Sequence, residues 1–216
     1  MDKEFWHQRW QAGQIGFHTP EAHWALLAYW PELVHQIDEP VLVPLCGKTL
    51  DMRWLCERGH PVTGIELNPI AVHDFFAEWK RRPTPIEQAD QALSGLEADG
   101  VSLWQGDFFA FKPATAYRAF YDRAALIALP PAMRKSYVEQ LRKCLAKGSI
   151  GLLVTLEYDQ NLKGGPPFSV SFEEVAEMTG FDSVPLERRD VLDESSKFRA
   201  HGITSLHETV YRLTAV

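Results

Sequence analysis

The chain has 216 residues, a formal net charge of -7, and a composition that is 45% hydrophobic and 24% charged. This is the profile of one globular domain with little extended disorder. The acidic balance disfavours a nucleic-acid backbone or an anionic membrane as partner, and no apolar run approaches the ~20 residues that cross a bilayer. Three cysteines without a Cys-x-x-Cys pair point to neither a disulfide framework nor a thiolate zinc site, and with no signal-peptide run they predict a reduced, cytoplasmic protein.

In chain order, residues 2–11 read as a helix with Phe5, Trp6 and Trp10 on one face, ended by Gly13 and Gly16. Thr19-Pro20 reads as the N-cap and first-turn proline of a second helix, so residues 1–36 are expected to form an N-terminal helical cap or lid. Pro40–Leu45 is a short unbroken apolar run, the pattern of a strand buried on both faces. Helix is expected over Thr49–Arg58, Pro69–Lys80 and Pro131–Leu145, and strand over Val62–Glu66, Val101–Gln105, Ala119–Asp122 and Ile150–Tyr158. This alternation predicts an α/β fold in one domain, 1–216: a mostly parallel sheet with helices on both faces. Lys80-Arg81-Arg82 reads as a solvated helix end.

The tail differs. Ser171-x-x-Glu174 caps a further helix, and Val184–Asp190 and Ser205–Leu213 follow as strand-like segments with no helical crossover between them. They predict a C-terminal antiparallel hairpin closing the sheet. Arg82–Asp99 and Asp159–Pro167 read as the loose segments.

In such a sheet ligands bind beyond the carboxyl ends of the strands, which directs attention to Leu45-Cys46-Gly47-Lys48-Thr49. A phosphate loop would need glycine where Leu42 stands, and a dinucleotide fingerprint would need more glycines than Gly47. A cofactor without a pyrophosphate, such as S-adenosylmethionine, suits the loop better than NAD. Glu66 ends the second strand, 19 residues beyond Gly47, where a carboxylate can accept from both hydroxyls of a ribose; it could instead cap the helix at Asn68-Pro69. Asp107, after Gly106, could meet an adenine edge or cap the turn into Phe108. Asp122-Arg123 is either a structural ion pair or a site where the planar Arg123 fork holds an anion or a ring heteroatom.

Pro-Leu-Cys-Gly-Lys at 44–48, Arg-Gly-His at 58–60, Glu66, Asp-Arg-x-Ala-Leu at 122–126 and Gly-Pro-Pro-Phe at 165–168 together resemble the bacterial thiopurine S-methyltransferases, class I S-adenosylmethionine-dependent enzymes with a Rossmann-like methyltransferase fold. The resemblance runs from about residue 4 to about residue 213. It implies S-adenosylmethionine as cofactor, with Trp10, Leu45, Glu66 and Arg123 beside it, and with Trp6, Phe17, Gly47 and the Gly106-Asp107-Phe108 turn helping to enclose it. By spacing alone the two tryptophans would be core anchors; the resemblance makes them part of a lid. Phe17, Arg123, Pro166 and Lys197 are the implied substrate contacts, although residues 196–203 match the family loosely.

The expected reaction is methyl transfer to the sulfur of a small aromatic thiol such as a thiopurine, by a monomer without metal. Arg123 is the one residue expected to act on the reacting group, and no His–Asp or Cys–His pair stands out as a base, since such thiols ionise readily. Selenium and tellurium compounds, with which bacterial relatives are associated, or another small acceptor are the competing substrates. A nucleotide-binding module without turnover is the competing class.

Overall fold

The computed structural model describes residues 3–36, 38–88, 92–193 and 195–216. Helices α1 (Lys3–Gln11) and α2 (Trp24–Leu33) lead into β1 (Val41–Pro44), α3 (Asp51–Glu57), β2 (Val62–Glu66) and α4 (Pro69–Glu78). A hairpin, β3 (Thr84–Ile86) and β4 (Ser94–Ala98), precedes β5 (Val101–Gln105), β6 (Tyr117–Arg123), α5 (Pro131–Cys144) and β7 (Leu145–Glu157). The chain then runs through α6 (Phe172–Ala176), β8 (Phe181–Asp190), α7 (Ser196–Arg199) and β9 (His207–Ala215).

All strands join one sheet in the order β3-β4-β5-β2-β1-β6-β7-β9-β8. The five strands β5, β2, β1, β6 and β7 run parallel, as the alternation requires. All four β1 residues are buried because helices cover both faces: Val41 and Val43 meet Trp30 of α2, Met52 of α3 and Phe75 of α4, while Leu42 joins Tyr137 and Leu141 of α5. Successive side chains point to opposite faces, so one apolar run serves two cores. The C-terminal pair is antiparallel as expected, but it is β9, not β8, that pairs with β7, so the later strand lies inside the earlier one.

Three expectations change. The segment read as loose over 82–99 carries the β3–β4 hairpin, antiparallel to β5; residues 89–91 lie outside the described residues, as does residue 2 of the first expected helix. The second helix starts at Trp24, because His23 rather than Thr19 provides the cap, its side chain accepting from Ala25 N; the Thr19 hydroxyl donates to Glu21 O instead. Segment 159–167 has no regular structure, yet it is pinned: Tyr158 Oη donates to Pro167 O at 2.7 Å and Gln160 bonds both Lys163 O and Ser169 N. The buried Arg134 of α5 reinforces this by gripping Glu174 and Ser169 O.

Candidate active site

A cleft of ≈ 1280 Å³ opens along the carboxyl edge of the parallel strands, where doubly wound sheets bind ligands. It is lined by Leu45, just after β1, by Glu66 and Arg123 at the ends of β2 and β6, by Trp6, Trp10 and Phe17 of the N-terminal segment, and by Pro166 and Lys197; the Lys197 ammonium lies beside Gly16 of that segment. The sequence-derived site thus converges, apart from one turn. Gly106, Asp107 and Phe108 do not line the cleft: Phe108 is buried in the α5 core, and Asp107 caps the following turn at Phe109 N and pairs with Lys3 at 2.8 Å. Gly106 reaches the site only through its N–H, which donates to Glu66 O at 2.8 Å.

The Glu66 end is built from backbone. Glu66 Oε2 accepts from Gly47 N at 2.8 Å and Oε1 from Asn68 N at 2.7 Å. Burial raises the carboxyl above its ordinary range, while the N–H groups of Asn68, Gly47 and Leu67 oppose that rise. Both readings of Glu66 are therefore realised in part: it steadies the turn before α4, whose cap is Asn68, and still faces the cleft. Gly47 has φ 54°, the left-handed backbone that glycine adopts without cost, and it lies under the Trp10 and Phe17 rings, which a Cβ there would meet at contact distance, 3.4 and 3.5 Å. Leu45 at φ 46° and Ala124 at φ 62° hold the left-handed region without being glycine, a cost of ~1–3 kcal/mol each that is typical of functional turns.

Lys48 does not face a phosphate; it is buried against α4, bonding Asp74 at 3.0 Å and Glu78 at 2.6 Å. Cys46 lines the cleft as an inert thiol, since burial and the neighbouring Glu66 hold its pKa well above the usual value. Trp10, Trp6 and Phe17 stack edge to face, Phe17 lying 5.9 Å from Trp6 and 5.7 Å from Trp10.

Asp122 and Arg123 do not pair with each other. Alternation sends them to opposite faces: Asp122 accepts from Tyr137 Oη at 2.6 Å and Leu126 N at 3.1 Å, whereas Arg123 lines the cleft and donates to Phe17 O at 2.8 Å. Arg9, Lys163 and Lys197 also line the cleft; burial and the charge of Arg9 lower the Lys163 pKa. His18 also lines it, with Nδ1 buried and unpartnered among the described residues. Burial, then the charge of Lys48, lower its pKa, with Arg123 and Arg53 adding to this and Glu78 opposing it, so the ring is neutral at pH 7.

The motif residue His60 is structural, bridging Trp30 Nε1 at 3.1 Å and Glu39 O at 3.0 Å. Sequence reasoning missed His23, Trp24 and Glu208, which line the far end of the cleft. No local motif marks them; only the pairing of Leu156 with Glu208 across β7 and β9 brings the carboxylate there. Among the described residues no cluster of His, Cys, Asp and Glu could hold a metal, and no helix is long and apolar enough to cross a membrane.

Known proteins share both sequence and architecture with this chain. The family model described as thiopurine S-methyltransferase matches residues 1–216. A thiopurine S-methyltransferase of Pseudomonas fluorescens (strain Pf0-1) is 48% identical over 220 residues, covering 100% of both chains. One from Shewanella woodyi is 45% identical over 219 residues, covering 99% of this chain and 98% of that one. Among solved structures, the Burkholderia thailandensis 1,6-didemethyltoxoflavin-N1-methyltransferase, with bound 1,6-didemethyltoxoflavin and S-adenosylhomocysteine, superposes with a TM-score of 0.66 at 15% identity, covering 99% of this chain and 87% of that one. That likeness establishes the Rossmann-like methyltransferase fold. The chain belongs to the thiopurine S-methyltransferase family and is an S-adenosylmethionine-dependent methyltransferase.

Proposed function

We propose that this enzyme methylates the sulfur of small aromatic or heterocyclic thiols, thiopurines among them, and that Arg123 is the residue acting on the reacting group. The observation carrying this reading is the position of Arg123 at the end of β6, two strands from Glu66 on β2, in a cleft that Arg9, Lys163 and Lys197 also line. A permanently charged planar fork there favours an acceptor presented as an anion, or held by its ring nitrogens. Ile127, Pro166 and Phe17 supply apolar contact for an aromatic body.

The residues present fit the cofactor. Glu66 spends one lone pair of each oxygen on backbone N–H groups and keeps others for a pair of ribose hydroxyls, and Gly47 offers a face without a side chain. The cleft exceeds the ~300–1,000 Å³ of ordinary ligand pockets, enough for two small molecules side by side. S-adenosylmethionine supplies an activated methyl group on a sulfonium, so the protein has to align and shield rather than activate. Trp6, Trp10 and Phe17 act as the aromatic lid of the N-terminal segment, excluding water and offering ring faces to a cation. Gly106 and Asp107 serve the cofactor end indirectly, by fixing Glu66 and the adjoining turn. No protein base is needed for an acceptor that ionises unaided.

The test is a panel of aromatic thiols, thiopurines, selenite and tellurite scored for S-adenosylhomocysteine formation. Turnover of the thiols supports the reading. Turnover confined to selenite or tellurite, or to none of them, overturns it.

A further inference from the structure

The cleft continues past Arg123 to Glu208, whose side chain is 15% exposed. Glu208 lies on β9, four strand positions from Glu66 on β2, or ~19 Å at the usual strand spacing. A carboxylate so far buried must be held by donors. Trp24 Nε1 donates to Oε1 at 2.6 Å, and His23 Nε2 lies 3.4 Å from Oε2. Burial raises the pKa, but the His23 bond and charge, the Trp24 bond and the charge of Arg123 together bring it below the ordinary value. Glu208 is therefore an anion in a cleft whose neighbouring walls are cationic.

The indole that holds it is itself clamped. The Arg189 guanidinium stacks 3.4 Å from the Trp24 ring centroid, and Arg189 pairs with Glu187, which also accepts from Tyr29 Oη. The Tyr29 ring meets Trp24 edge-on at 6.4 Å. Side chains of α2 and β8 thus fix the direction of one N–H bond into the cleft. A carboxylate needed only for packing would be enclosed by its donors, whereas among the described residues each oxygen of Glu208 has one partner, Trp24 or His23, and retains acceptor capacity in the cleft that it lines.

We infer that Glu208 determines acceptor specificity: its carboxylate accepts a hydrogen bond from an N–H of the methyl acceptor, selecting heterocyclic thiols that carry a ring N–H over simple benzenethiols. The inference rests on the thiol reading above. Arg123 takes the anionic or heteroatom side of the ring and Glu208 its donor side, and the two opposite charges fix the orientation of a flat molecule. Trp24 is a positioning residue for Glu208.

The test compares wild type, Glu208→Gln and Trp24→Phe with 2-mercaptobenzimidazole and benzenethiol as acceptors, alongside calorimetric binding of 2-mercaptobenzimidazole to the S-adenosylhomocysteine-loaded protein. Glu208→Gln keeps the shape but points a donor where an acceptor is required. Its KM for 2-mercaptobenzimidazole is expected to rise about tenfold or more, with kcat changing less, and kcat/KM for benzenethiol to fall by far less. Trp24→Phe, which keeps a ring and removes the N–H, shifts the same acceptor in the same direction by a smaller factor. Equal losses for both acceptors, or no loss for either, overturn the inference. Binding separates it from the thiol reading: if wild type turns over neither thiol yet binds 2-mercaptobenzimidazole at least tenfold tighter than Glu208→Gln does, thiol methylation falls and the role of Glu208 stands.

Discussion

At the Glu66 end of the cleft the polar partners are main-chain N–H groups of residues close to the β1 and β2 termini, whereas at the Glu208 end they are side chains delivered by α2, β8 and β9. Backbone donors lose no rotamer freedom and survive substitution, so the first end is fixed once β1 and β2 pair. Side-chain donors cost ordering entropy and are available for change. The arrangement suits an enzyme that keeps one cofactor while its acceptor preference is adjustable.

The strongest way to break this contrast is Glu66→Ala, which strips two backbone donors of their acceptor along with the proposed ribose contact. S-adenosylhomocysteine affinity is expected to fall about a hundredfold, ~3 kcal/mol, with further loss of stability from the unpaired N–H groups. Calorimetry that finds the affinity unchanged reduces Glu66 to a loop clamp.

The strand between the two ends gives the next largest effect. Asp122, on the face of β6 opposite Arg123, is raised by burial from 3.8 to about 6, against the opposing bonds from Tyr137, Leu126 and Ala125. The folded protein thus holds a proton that the unfolded chain releases. Its contribution is full below about pH 4 and lost as pH rises through about 6, a change of order 3 kcal/mol. Asp122→Asn should flatten the unfolding free energy over that window, as urea titrations at several pH values will show. An unaltered slope in a folded variant means that Asp122 ionises normally.

Arg123 sharpens the contrast at its midpoint. Arg123→Met should lower kcat/KM for thiols roughly tenfold or more, and Arg123→Lys should recover part of the rate by restoring charge without the fork. The pH–rate profile should follow the thiol pKa of each acceptor. A common inflection below 6.5 for all acceptors would instead identify His18, whose pKa is lowered from that value chiefly by burial, as a base active when neutral. The smallest expected change is in α1: its amides should gain a few-fold hydrogen-exchange protection with S-adenosylhomocysteine if Trp6 and Trp10 close as a lid. Equal protection with and without ligand makes both tryptophans permanent packing.

What was legible in the sequence was whatever its own neighbours determine. Strands Val62–Glu66 and Val101–Gln105 have the expected bounds because each is short, starts on a β-branched residue and is set off by turn residues, Gly59 before the first and Gly100 and Gly106 around the second. The hairpin of Thr84-Pro85-Ile86 and Ser94–Ala98 was not legible, since proline, glycine and glutamate weaken its intrinsic preference and pairing with β5 supplies the rest. The start of α2 was misplaced because Thr19-Pro20 carries the stronger capping signal, while the His23 cap is stabilised by a distant carboxylate, Asp51, accepting from its N–H at 2.7 Å. Glu66, Arg123 and the aromatics Trp6, Trp10 and Phe17 sit beside recognisable motifs. Glu208 and Trp24 lie 184 residues apart and acquire meaning only when β9 enters the sheet.

That insertion bears on how the chain is made. Because β9 follows β8 in the chain yet lies between β8 and β7, the seven strands from β3 to β7 can assemble as synthesis proceeds, while β8 waits without a neighbour. Until β9 emerges, β7 presents an open apolar edge of the kind that pairs with foreign strands. A stalled or clipped chain would thus retain the loops at Gly47 and Glu66 and expose an adhesive margin, and substitutions at the buried apolar β9 residues Val210, Tyr211 and Leu213 should reveal themselves in the yield of soluble protein before they do so in turnover.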